Sequence, residues 1–251
     1  DEPMTDRYAV ILAAGKGTRM KSDLAKVLHQ IDGKPLLEFV LDACKPIGLD
    51  ATVVIVGHQA ERVAELSRRN NAETALQAEQ LGTGHAVDQA RSALESKKGA
   101  VLVLCGDVPL LTTKTIQALL DRTEQTGAAA TVLTAIAEDA TGYGRIVRDE
   151  SGAVQAIVEH KDANEEQRGI REYNTGTWCF DNAKLWDLLG RLDTDNSQGE
   201  YYLTDVVEIL VSDGEHVEAV ICEDEREVQG INTLDDLERA TADWHEMGGG
   251  D

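Results

Sequence analysis

Two glycines and two cations follow a short apolar run near the start of the chain. The segment from Val10 to Met20 reads V-I-L-A-A-G-K-G-T-R-M. Glycine lets the backbone approach a ligand closely, successive free N–H groups can cradle phosphate oxygens, and Lys16 and Arg19 supply positive charge. The pattern predicts a buried strand that delivers a cationic loop to an anionic ligand, such as a nucleoside triphosphate.

Two common phosphate-binding patterns do not fit this loop. The P-loop needs a glycine at a fixed distance before Gly-Lys-Ser/Thr, and residues 15–18 (G-K-G-T) lack that spacing. The dinucleotide pattern fails because Met20 stands where its third glycine belongs. A tight turn between a strand and a helix remains an alternative for this segment alone.

Composition limits the kind of core and the kind of partner. The chain has 251 residues, of which 42% are hydrophobic and 4% aromatic, so its core must consist mostly of Val, Leu, Ile and Ala. A net charge of −22 argues against a nucleic-acid partner, which would need a basic face. An anionic substrate must then be attracted by a local cluster of cations.

The spacing of the cysteines and the hydropathy of the chain indicate the cellular compartment. The four cysteines show neither a C-x-x-C pair nor zinc-ligand spacing, which favours buried thiols in a reducing cytoplasm. No apolar run reaches the length of about 18 residues that a membrane helix needs. The polar, acidic first residues do not resemble a signal peptide. We therefore expect a cytoplasmic protein with no membrane partner.

Short apolar runs alternate with helical patterns in the first half of the chain. The predicted strands are Tyr8–Ala14, Ala51–Val56, Ala100–Cys105 and Ala128–Ala135. The predicted helices are Leu36–Cys44, Ala60–Arg68, Gly84–Leu94 and Lys114–Gly127. This alternation predicts an α/β, Rossmann-like fold with a mixed, mainly parallel sheet flanked by helices. Ligands bind such sheets beyond the carboxyl ends of the strands, where the glycine loop and Asp107 are expected.

The second half of the chain is less regular. Gly144–Arg148 and Val154–Glu159 predict a hairpin, and Tyr173–Phe180 predicts a further strand. The other predicted elements are helices at Tyr202–Ser212 and Leu234–His245, and short strands at Val217–Val220 and Glu227–Gly230.

Several motifs follow one another along almost the whole chain. They are L-A-A-G-K-G-T-R-M and K-V-L-H near the start, Q-A-E-Q-L-G-T-G-H-A from Gln77, G-D-V-P-L from Gly106, G-Y-G-R-I from Gly142, E-H-K-D from Glu159, N-T-G from Asn174, G-E-Y-Y-L-T-D from Gly199 and G-I-N from Gly230. In these motifs the chain resembles the bacterial N-acetylglucosamine-1-phosphate uridylyltransferases, which are sugar nucleotidyltransferases. The glycine loop and G-D-V-P-L are shared by that whole superfamily, whereas the Gln77 run and E-H-K are narrower.

The resemblance implies a fold, a reaction and a cofactor. The fold is that of the nucleotide-diphospho-sugar transferases. The reaction transfers UMP from UTP to N-acetylglucosamine 1-phosphate and releases pyrophosphate, and its product serves peptidoglycan precursor synthesis. Such a reaction needs positioning and charge neutralisation, with Mg²⁺ as the expected cofactor. No general base is required, because the attacking phosphate is already ionised.

The family places its metal ligands and its catalytic cations at recognisable positions. The resemblance assigns metal binding to Asp107 and Asn232, transition-state charge to Lys26, and the leaving pyrophosphate to Arg19 and Lys16. From the residue types alone, Asp107 and Asn232 are equally typical of helix caps. Lys26 on its own would be an ordinary solvated lysine.

The resemblance also implies two sets of substrate contacts. The nucleotide set comprises Leu12, Ala13, Ala14, Gly15, Lys16, Gln77, Gly82, Thr83, Cys105, Gly106 and, through the metal, Asn232. The sugar set comprises Gly144, Glu159 and Asn174, with Thr175 and the segment Tyr201–Asp205 near the acetamido group. Taken alone, Gln77 is also consistent with an ordinary polar residue at a strand end, and Tyr201 and Tyr202 with core packing.

Two residues and one domain depart from the family pattern. Ala25 stands where proline commonly precedes the lysine, and Cys105 stands where tyrosine usually precedes Gly-Asp. A catalytic thiol is not expected at Cys105, because no basic partner is evident nearby. We expect a nucleotidyltransferase domain at 1–231 and a C-terminal helix and tail at 232–251. The family's β-helix acetyltransferase domain, which builds its trimer, is not expected in these residues, so the resemblance does not carry the trimer over and the oligomeric state stays open between a monomer and an oligomer.

Two other functions stay open at this point. A sister enzyme would use glucose 1-phosphate or another nucleoside triphosphate with the same apparatus. A binding or regulatory protein would keep the fold without turnover, although the joint presence of Arg19, Lys26, Asp107 and Asn232 argues against it.

Overall fold

Short runs rich in Val, Leu, Ile and Ala form the strands of the computed structural model, which describes residues 6–250. Such side chains pack well on a pleated sheet that is covered on both faces. The strands are, in chain order, β1 (Arg7–Ala13), β2 (Gln30–Ile31), β3 (Lys34–Pro35), β4 (Ala51–Val56), β5 (Glu73–Leu76), β6 (Ala100–Cys105), β7 (Ala130–Ile136), β8 (Arg145–Arg148), β9 (Val154–Val158), β10 (Glu172–Asp181) and β11 (Val217–Ile221).

Several helices begin at side chains that cap free backbone N–H groups. Thr112 Oγ1, for example, accepts a hydrogen bond from Thr115 N at 3.2 Å. The α-helices are α1 (Leu36–Cys44), α2 (Ala60–Arg69), α3 (Thr83–Asp88), α4 (Arg91–Leu94), α5 (Thr113–Thr126), α6 (Glu165–Arg168), α7 (Asn182–Gly190), α8 (Val206–Ser212) and α9 (Leu234–Glu246). Short 3₁₀ helices lie at Thr18–Met20, Lys26–Leu28, Lys45–Ile47, Leu203–Asp205 and Glu225–Val228.

The main sheet has the strand order β11-β7-β10-β6-β1-β4-β5, with β8 pairing with both β10 and β9. β1 runs parallel to β4 and β6, β4 to β5, and β7 to β11. β10 runs antiparallel to its neighbours β6 and β7. The prediction of a mixed, mainly parallel sheet flanked by helices is confirmed.

Strand β1 shows how the core is divided between the two faces of the sheet. Ala9 and Ile11 pack in one apolar cluster with residues of α1, α2 and α5. Tyr8 and Val10 pack in another with residues of α3, α7 and α8. Because successive side chains of a strand point to opposite faces, β1 serves both clusters and is buried at the centre of the molecule.

The carboxyl ends of β1 and β6 lie side by side. Leu12 is the register partner of Cys105, and the N–H of Gly106 donates to the carbonyl oxygen of Leu12 at 2.8 Å. The glycine loop and Asp107 therefore leave the sheet at the same edge, as predicted for parallel strands.

Strand β10 is irregular where it passes this edge. Its register with β7 shifts between Asn174 and Trp178, so residues 175–177 lie outside the regular pairing. Gly176 has a φ of +79° there. The Sγ of Cys105 contacts the carbonyl oxygen of Gly176 at 3.4 Å, which brings the bulge beside the end of β6.

The C-terminal helix α9 packs against the first part of the chain. The rings of Trp244 and Phe39 meet edge to face, with centroids 5.1 Å apart. Ala240 shares a small core cluster with Met20 and Ile231. This packing holds the segment that enters α9 close to the glycine loop. The predicted boundary between 1–231 and 232–251 stays a prediction.

One predicted strand is wrong in type. Glu227–Gly230 was expected to be extended, but Glu225–Val228 forms a 3₁₀ helix. The Asp224 side chain caps its start by accepting from Arg226 N at 3.1 Å. The carboxylate of Glu227 turns inward and accepts from the hydroxyl of Thr112 at 2.6 Å, which an extended backbone would not place there.

Other elements differ from the predictions in extent. Gly84–Leu94 is two helices, α3 and α4, because Gln89 N and Ala90 N bond three residues back and tighten the turn between them. Tyr202–Ser212 begins with a 3₁₀ turn before α8. Strand β5 and helix α7 were not predicted: β5 is a short and largely exposed edge strand, and α7 follows β10 without a loop.

Candidate active site

A cavity of about 330 Å³ opens at the carboxyl ends of β1 and β6. It lies between the glycine loop, the entry to α3 and the segment after β6. Its lining residues are Leu12, Ala13, Ala14, Gly15, Lys26, Val27, Gln77, Gln80, Gly82, Thr83, Ala86, Cys105, Asp107 and Glu200. We call it the first cavity.

The glycine loop folds closely over Lys26. Gly17 has a φ of +69°, and a Cβ placed on it would lie 2.7 Å from the Cβ of Lys26. Glycine is therefore required here for the loop to approach the lysine. The side chains of Lys16 and Arg19 are exposed, do not line the first cavity and form no ion pair with another residue of the described chain.

Lys26 and Asp107 lie in the wall of the first cavity, and Asn232, which lines a different cavity, contacts Lys26. The Nζ of Lys26 lies 2.7 Å from Asp107 Oδ2 and donates to Asn232 Oδ1 at 3.1 Å. The backbone braces the contact, because Ile231 N–H donates to the carbonyl oxygen of Asp107 at 2.9 Å. The side-chain oxygens of Asp107 and Asn232, which come from distant segments, thus both contact the Lys26 ammonium group.

The helix-cap alternatives for these two side chains do not hold. The Asp107 carboxylate pairs with Lys26 and accepts no backbone N–H bond in the described chain. Thr233, not Asn232, caps α9, in a capping box with Asp236. Neither of the two predicted metal ligands is therefore used as a helix cap, and both contact Lys26.

The donor set fits one hard divalent cation. Among residues 6–250, no group of three or more His, Cys, Asp or Glu side chains could hold a metal ion. Asp107 and Asn232 offer a carboxylate and an amide oxygen, and Mg²⁺ typically takes one or two such protein ligands with phosphate oxygens and water. Their chemistry matches a metal that arrives with a phosphorylated substrate.

The far end of the first cavity is built on Gln77 and the start of α3. Gln77 is only 3% exposed, and its backbone N–H donates to Val56 O at 2.8 Å. Gly84 N donates to Tyr201 O at 2.8 Å, and Tyr201 N donates to Leu81 O at 2.8 Å. These bonds tie the wall of the cavity to residues more than a hundred positions later in the chain.

A second cavity of about 240 Å³ adjoins the first and shares Leu12, Thr83 and Cys105 with it. Its remaining lining residues are Gly142, Tyr143, Gly144, Glu159, Asn174, Thr175, Gly176, Trp178, Leu203 and Thr204. The two cavities together form one continuous site at the sheet edge, with Cys105 between them.

Polar groups in the second cavity are arranged in pairs. Glu159 Oε1 accepts from the hydroxyl of Thr204 at 3.0 Å. Asn174 Oδ1 accepts from Gly176 N at 2.9 Å, within the β10 bulge. A Cβ on Gly144 would lie 3.4 Å from Glu159 Oε1, so glycine leaves room beside the carboxylate.

Arg145 braces this cavity from behind and was missed in the sequence. It is 2% exposed, and its guanidinium donates to Ile170 O at 2.9 Å and to Arg168 O at 3.2 Å. The same group bonds the carbonyl of Tyr143 and contacts His160 Nδ1 at 3.2 Å. It thereby fixes the two segments that carry Gly144 and Glu159. Its position inside G-Y-G-R-I was the only signal in the sequence.

Burial changes the acidity of two groups that line the site and of Asp205, which follows the lining residue Thr204. It raises the pKa of the Cys105 thiol to about 12, so the thiol stays protonated and cannot act as a nucleophile. It also raises the pKa of Glu159. Burial raises the pKa of Asp205 to about 6, helped by the negative charges of Glu208 and Asp193.

Most of the sequence-predicted residues lie together. The first cavity contains Leu12–Gly15, Lys26, Gln77, Gly82, Thr83, Cys105 and Asp107, and the second contains Gly144, Glu159 and Asn174. Asn232 and Gly106 line neither cavity, but each contacts a lining residue: Asn232 accepts from Lys26, and Gly106 N–H donates to Leu12 O.

Lys16 and Arg19 are not brought into either cavity. Gln80, Glu200, Tyr143 and Trp178 line the site but were not predicted. The roles of all these residues stay predictions.

Residues 9–203 match the family described as the MobA-like NTP transferase domain. The chain belongs to that family. Among its relatives are bifunctional protein GlmU from Bacillus mycoides (strain KBAB4), Bacillus cereus (strain G9842) and Bacillus thuringiensis (strain Al Hakam), each 56% identical over 229 residues. The match covers 91% of this chain and 50% of each relative, so the chain spans about half the length of the curated relatives it matches. The resemblance stated from the motifs is confirmed.

One further property concerns membranes. Within residues 6–250, none of the helices has both the length and the apolar character that spanning a bilayer requires.

If the first cavity holds the nucleotide that the motif resemblance implies, replacing Gly82 by alanine should abolish its binding. Gly82 has a φ of +111°, and a Cβ there would lie 2.6 Å from Tyr201 O, so the cavity wall must shift. Titration of UTP by calorimetry should detect no binding. The control is Gly127→Ala, where φ is +64° but the added Cβ meets open space. It should cost about 1–2 kcal/mol of stability and leave UTP binding intact. Equal UTP affinity in both variants would contradict this account of Gly82.

Replacing Asp205 by asparagine should stabilise the fold in a pH-dependent way. Because the folded-state pKa is raised from 3.8 to about 6, the folded protein holds this proton more tightly than the unfolded chain. The contribution of Asp205 to stability is therefore largest below 3.8 and falls as the pH rises through about 6. Urea denaturation should show Asp205→Asn to be more stable than wild type above that range and equal to it below. Glu65→Gln, which removes an exposed charge on α2, should show no such crossover.

Proposed function

We propose that this chain transfers UMP from UTP to N-acetylglucosamine 1-phosphate, with release of pyrophosphate. One observation carries the proposal: Lys26 and Asp107 pair in the wall of the first cavity, which shares Cys105 with the second cavity, and Lys26 also donates to Asn232. The motif resemblance and the relatives named bifunctional protein GlmU support the choice of substrates.

The nucleotide occupies the first cavity in this proposal. The base lies against Gln77 and the start of α3, and the phosphates extend along the glycine loop to Lys26. The Lys26 ammonium donates to the α-phosphate and offsets the charge that develops in transfer. Magnesium held by Asp107 and Asn232 would add charge neutralisation on the phosphates. The exposed Lys16 and Arg19 are placed on the loop to hold the departing pyrophosphate.

The sugar phosphate occupies the second cavity. Its hydroxyls can donate to Glu159 and bond the amide of Asn174, while Gly144 allows close approach of the ring. A phosphate oxygen of the sugar phosphate attacks the α-phosphorus, and the bond from that phosphorus to the bridging oxygen of pyrophosphate breaks. The attacking oxygen is already ionised, so the chain's residues position it and need not remove a proton. The net charge of −22 supports small anionic substrates rather than nucleic acid.

A pyrophosphate-release assay over a panel of substrates tests the proposal. The panel combines UTP, CTP, TTP and ATP with N-acetylglucosamine 1-phosphate and glucose 1-phosphate, with and without Mg²⁺. Release that is fastest for UTP with N-acetylglucosamine 1-phosphate, and that depends on Mg²⁺, is the expected result. A preference for another sugar or base would select the sister-enzyme alternative. Binding of UDP-N-acetylglucosamine without any release would select the binding-protein alternative.

Asp107→Asn should lower the rate of transfer by about 100-fold or more, because it removes the anionic oxygen that faces Lys26 and the metal. The fold should survive, since the side chain lies in a cavity wall rather than in the core. The rate is measured by pyrophosphate release and the fold by thermal melting. Glu65→Gln should leave both unchanged. A variant with wild-type turnover would remove Asp107 from the catalytic role.

A further inference from the structure

His85 lies in α3, behind the residue assigned to the base. Its Nδ1 is 3.0 Å from the amide nitrogen Nε2 of Gln77. Its ring stacks on Tyr201 with centroids 6.5 Å apart and an interplanar angle of 25°. His85 does not line the first cavity itself, so it can act on a ligand only through Gln77.

The two ends of the Gln77 amide have different surroundings. The nitrogen Nε2 is within reach of two acceptors, His85 Nδ1 and the carbonyl oxygen of Gly82 at 3.3 Å. The oxygen Oε1 accepts no hydrogen bond from the described residues. Among residues 6–250, the fully buried side-chain polar atoms that lack a hydrogen-bond partner are His29 Nε2 and Thr177 Oγ1. Gln77 Oε1 also lacks a partner but is not one of these atoms, so it is not fully buried. Because Gln77 lines the first cavity, this oxygen is open to a ligand there.

The acceptor on His85 is assigned to Nδ1. A neutral imidazole accepts at one ring nitrogen only. The other nitrogen, Nε2, lies 3.3 Å from the amide nitrogen of Gln89, which also donates to the carbonyl oxygen of His85 at 2.9 Å. Because the Gln77 contact is the shorter of the two ring contacts, 3.0 Å against 3.3 Å, we assign Nδ1 as the nitrogen that accepts a hydrogen bond from the Gln77 amide.

We propose that His85 is a positioning residue that sets the choice of uracil over cytosine. This inference rests on the proposed function. With Nε2 of Gln77 held by His85 and Gly82, Oε1 is presented to the base. Uracil carries an N3–H that donates to this oxygen, whereas N3 of cytosine is an acceptor and meets it with a lone pair. If the amide were rotated by 180°, its nitrogen would face the N3–H of uracil, and two donors would oppose each other. The same nitrogen would donate to N3 of cytosine, so cytosine would be preferred over uracil.

Three variants test the role of His85. His85→Phe keeps an aromatic ring beside Tyr201 and removes the acceptor. His85→Asn restores a carbonyl oxygen near the position of Nδ1. His216→Leu is the control, because His216 is exposed and lies before β11, outside both cavities. The measurements are kcat/KM for UTP and CTP by pyrophosphate release and, independent of turnover, the Kd of UDP and CDP by calorimetry.

His85→Phe should lower the ratio of kcat/KM for UTP to that for CTP at least tenfold, mainly through a higher KM for UTP. The UDP-to-CDP affinity ratio should fall in parallel. His85→Asn should recover most of both ratios, and His216→Leu should match wild type. Equal losses for both nucleotides in His85→Phe, or the same ratios in His85→Asn and His85→Phe, would overturn the proposal.

The two proposals fail in different ways. If wild type binds UDP more tightly than CDP but transfers nothing, the proposed function fails and the binding ratios still decide the role of His85. If His85→Phe does not fold, the comparison of His85→Asn with wild type decides it. A large loss of the UDP-to-CDP ratio in a folded His85→Asn would then contradict the positioning role.

Discussion

One ammonium group joins three segments that lie far apart in the chain. Lys26 contacts the carboxylate of Asp107 and the amide oxygen of Asn232, and all three approach the same edge of the sheet. The side chains of Lys26 and Asp107 are only 17% and 22% exposed, so water screens their attraction less than that of a surface pair. The contact therefore holds together the segments that follow β1, follow β6 and enter α9, and it forms part of the wall of the first cavity.

The same contact explains why a site in such an acidic chain needs further cations. Lys26 and Asp107 carry opposite charges and largely cancel each other, so the wall they form offers little net attraction to a triphosphate. The surrounding surface is repulsive, given a net charge of −22. The additional positive charge has two sources in the proposed function: a divalent ion on the Asp107 and Asn232 oxygens, and the exposed Lys16 and Arg19. The side chains of Lys16 and Arg19 are exposed, so they can turn toward a phosphate without disturbing the core.

The sequence predicts the fold and much of the site because both follow from local patterns. Apolar runs of β1 and β6 ending at Gly15 and Asp107 are enough to place the two loops side by side. The sequence does not predict the Lys26–Asn232 contact from chemistry, because a separation of 206 residues leaves no local signal. The role of Arg145 was missed for the same reason: it is defined by partners that only the folded chain brings near.

Base selection illustrates why packing alone cannot explain specificity in this site. The oxygen and the nitrogen of the Gln77 amide are almost the same size, so a cavity of fixed shape accommodates either orientation. Only hydrogen bonds distinguish the two ends: the nitrogen contacts the carbonyl oxygen of Gly82 and Nδ1 of His85, and His85 lies outside the cavity lining. Because a buried polar group left without its partner costs about 1–3 kcal/mol, the acceptors behind the amide decide which base is penalised. A residue that does not contact the base can therefore determine which base is bound.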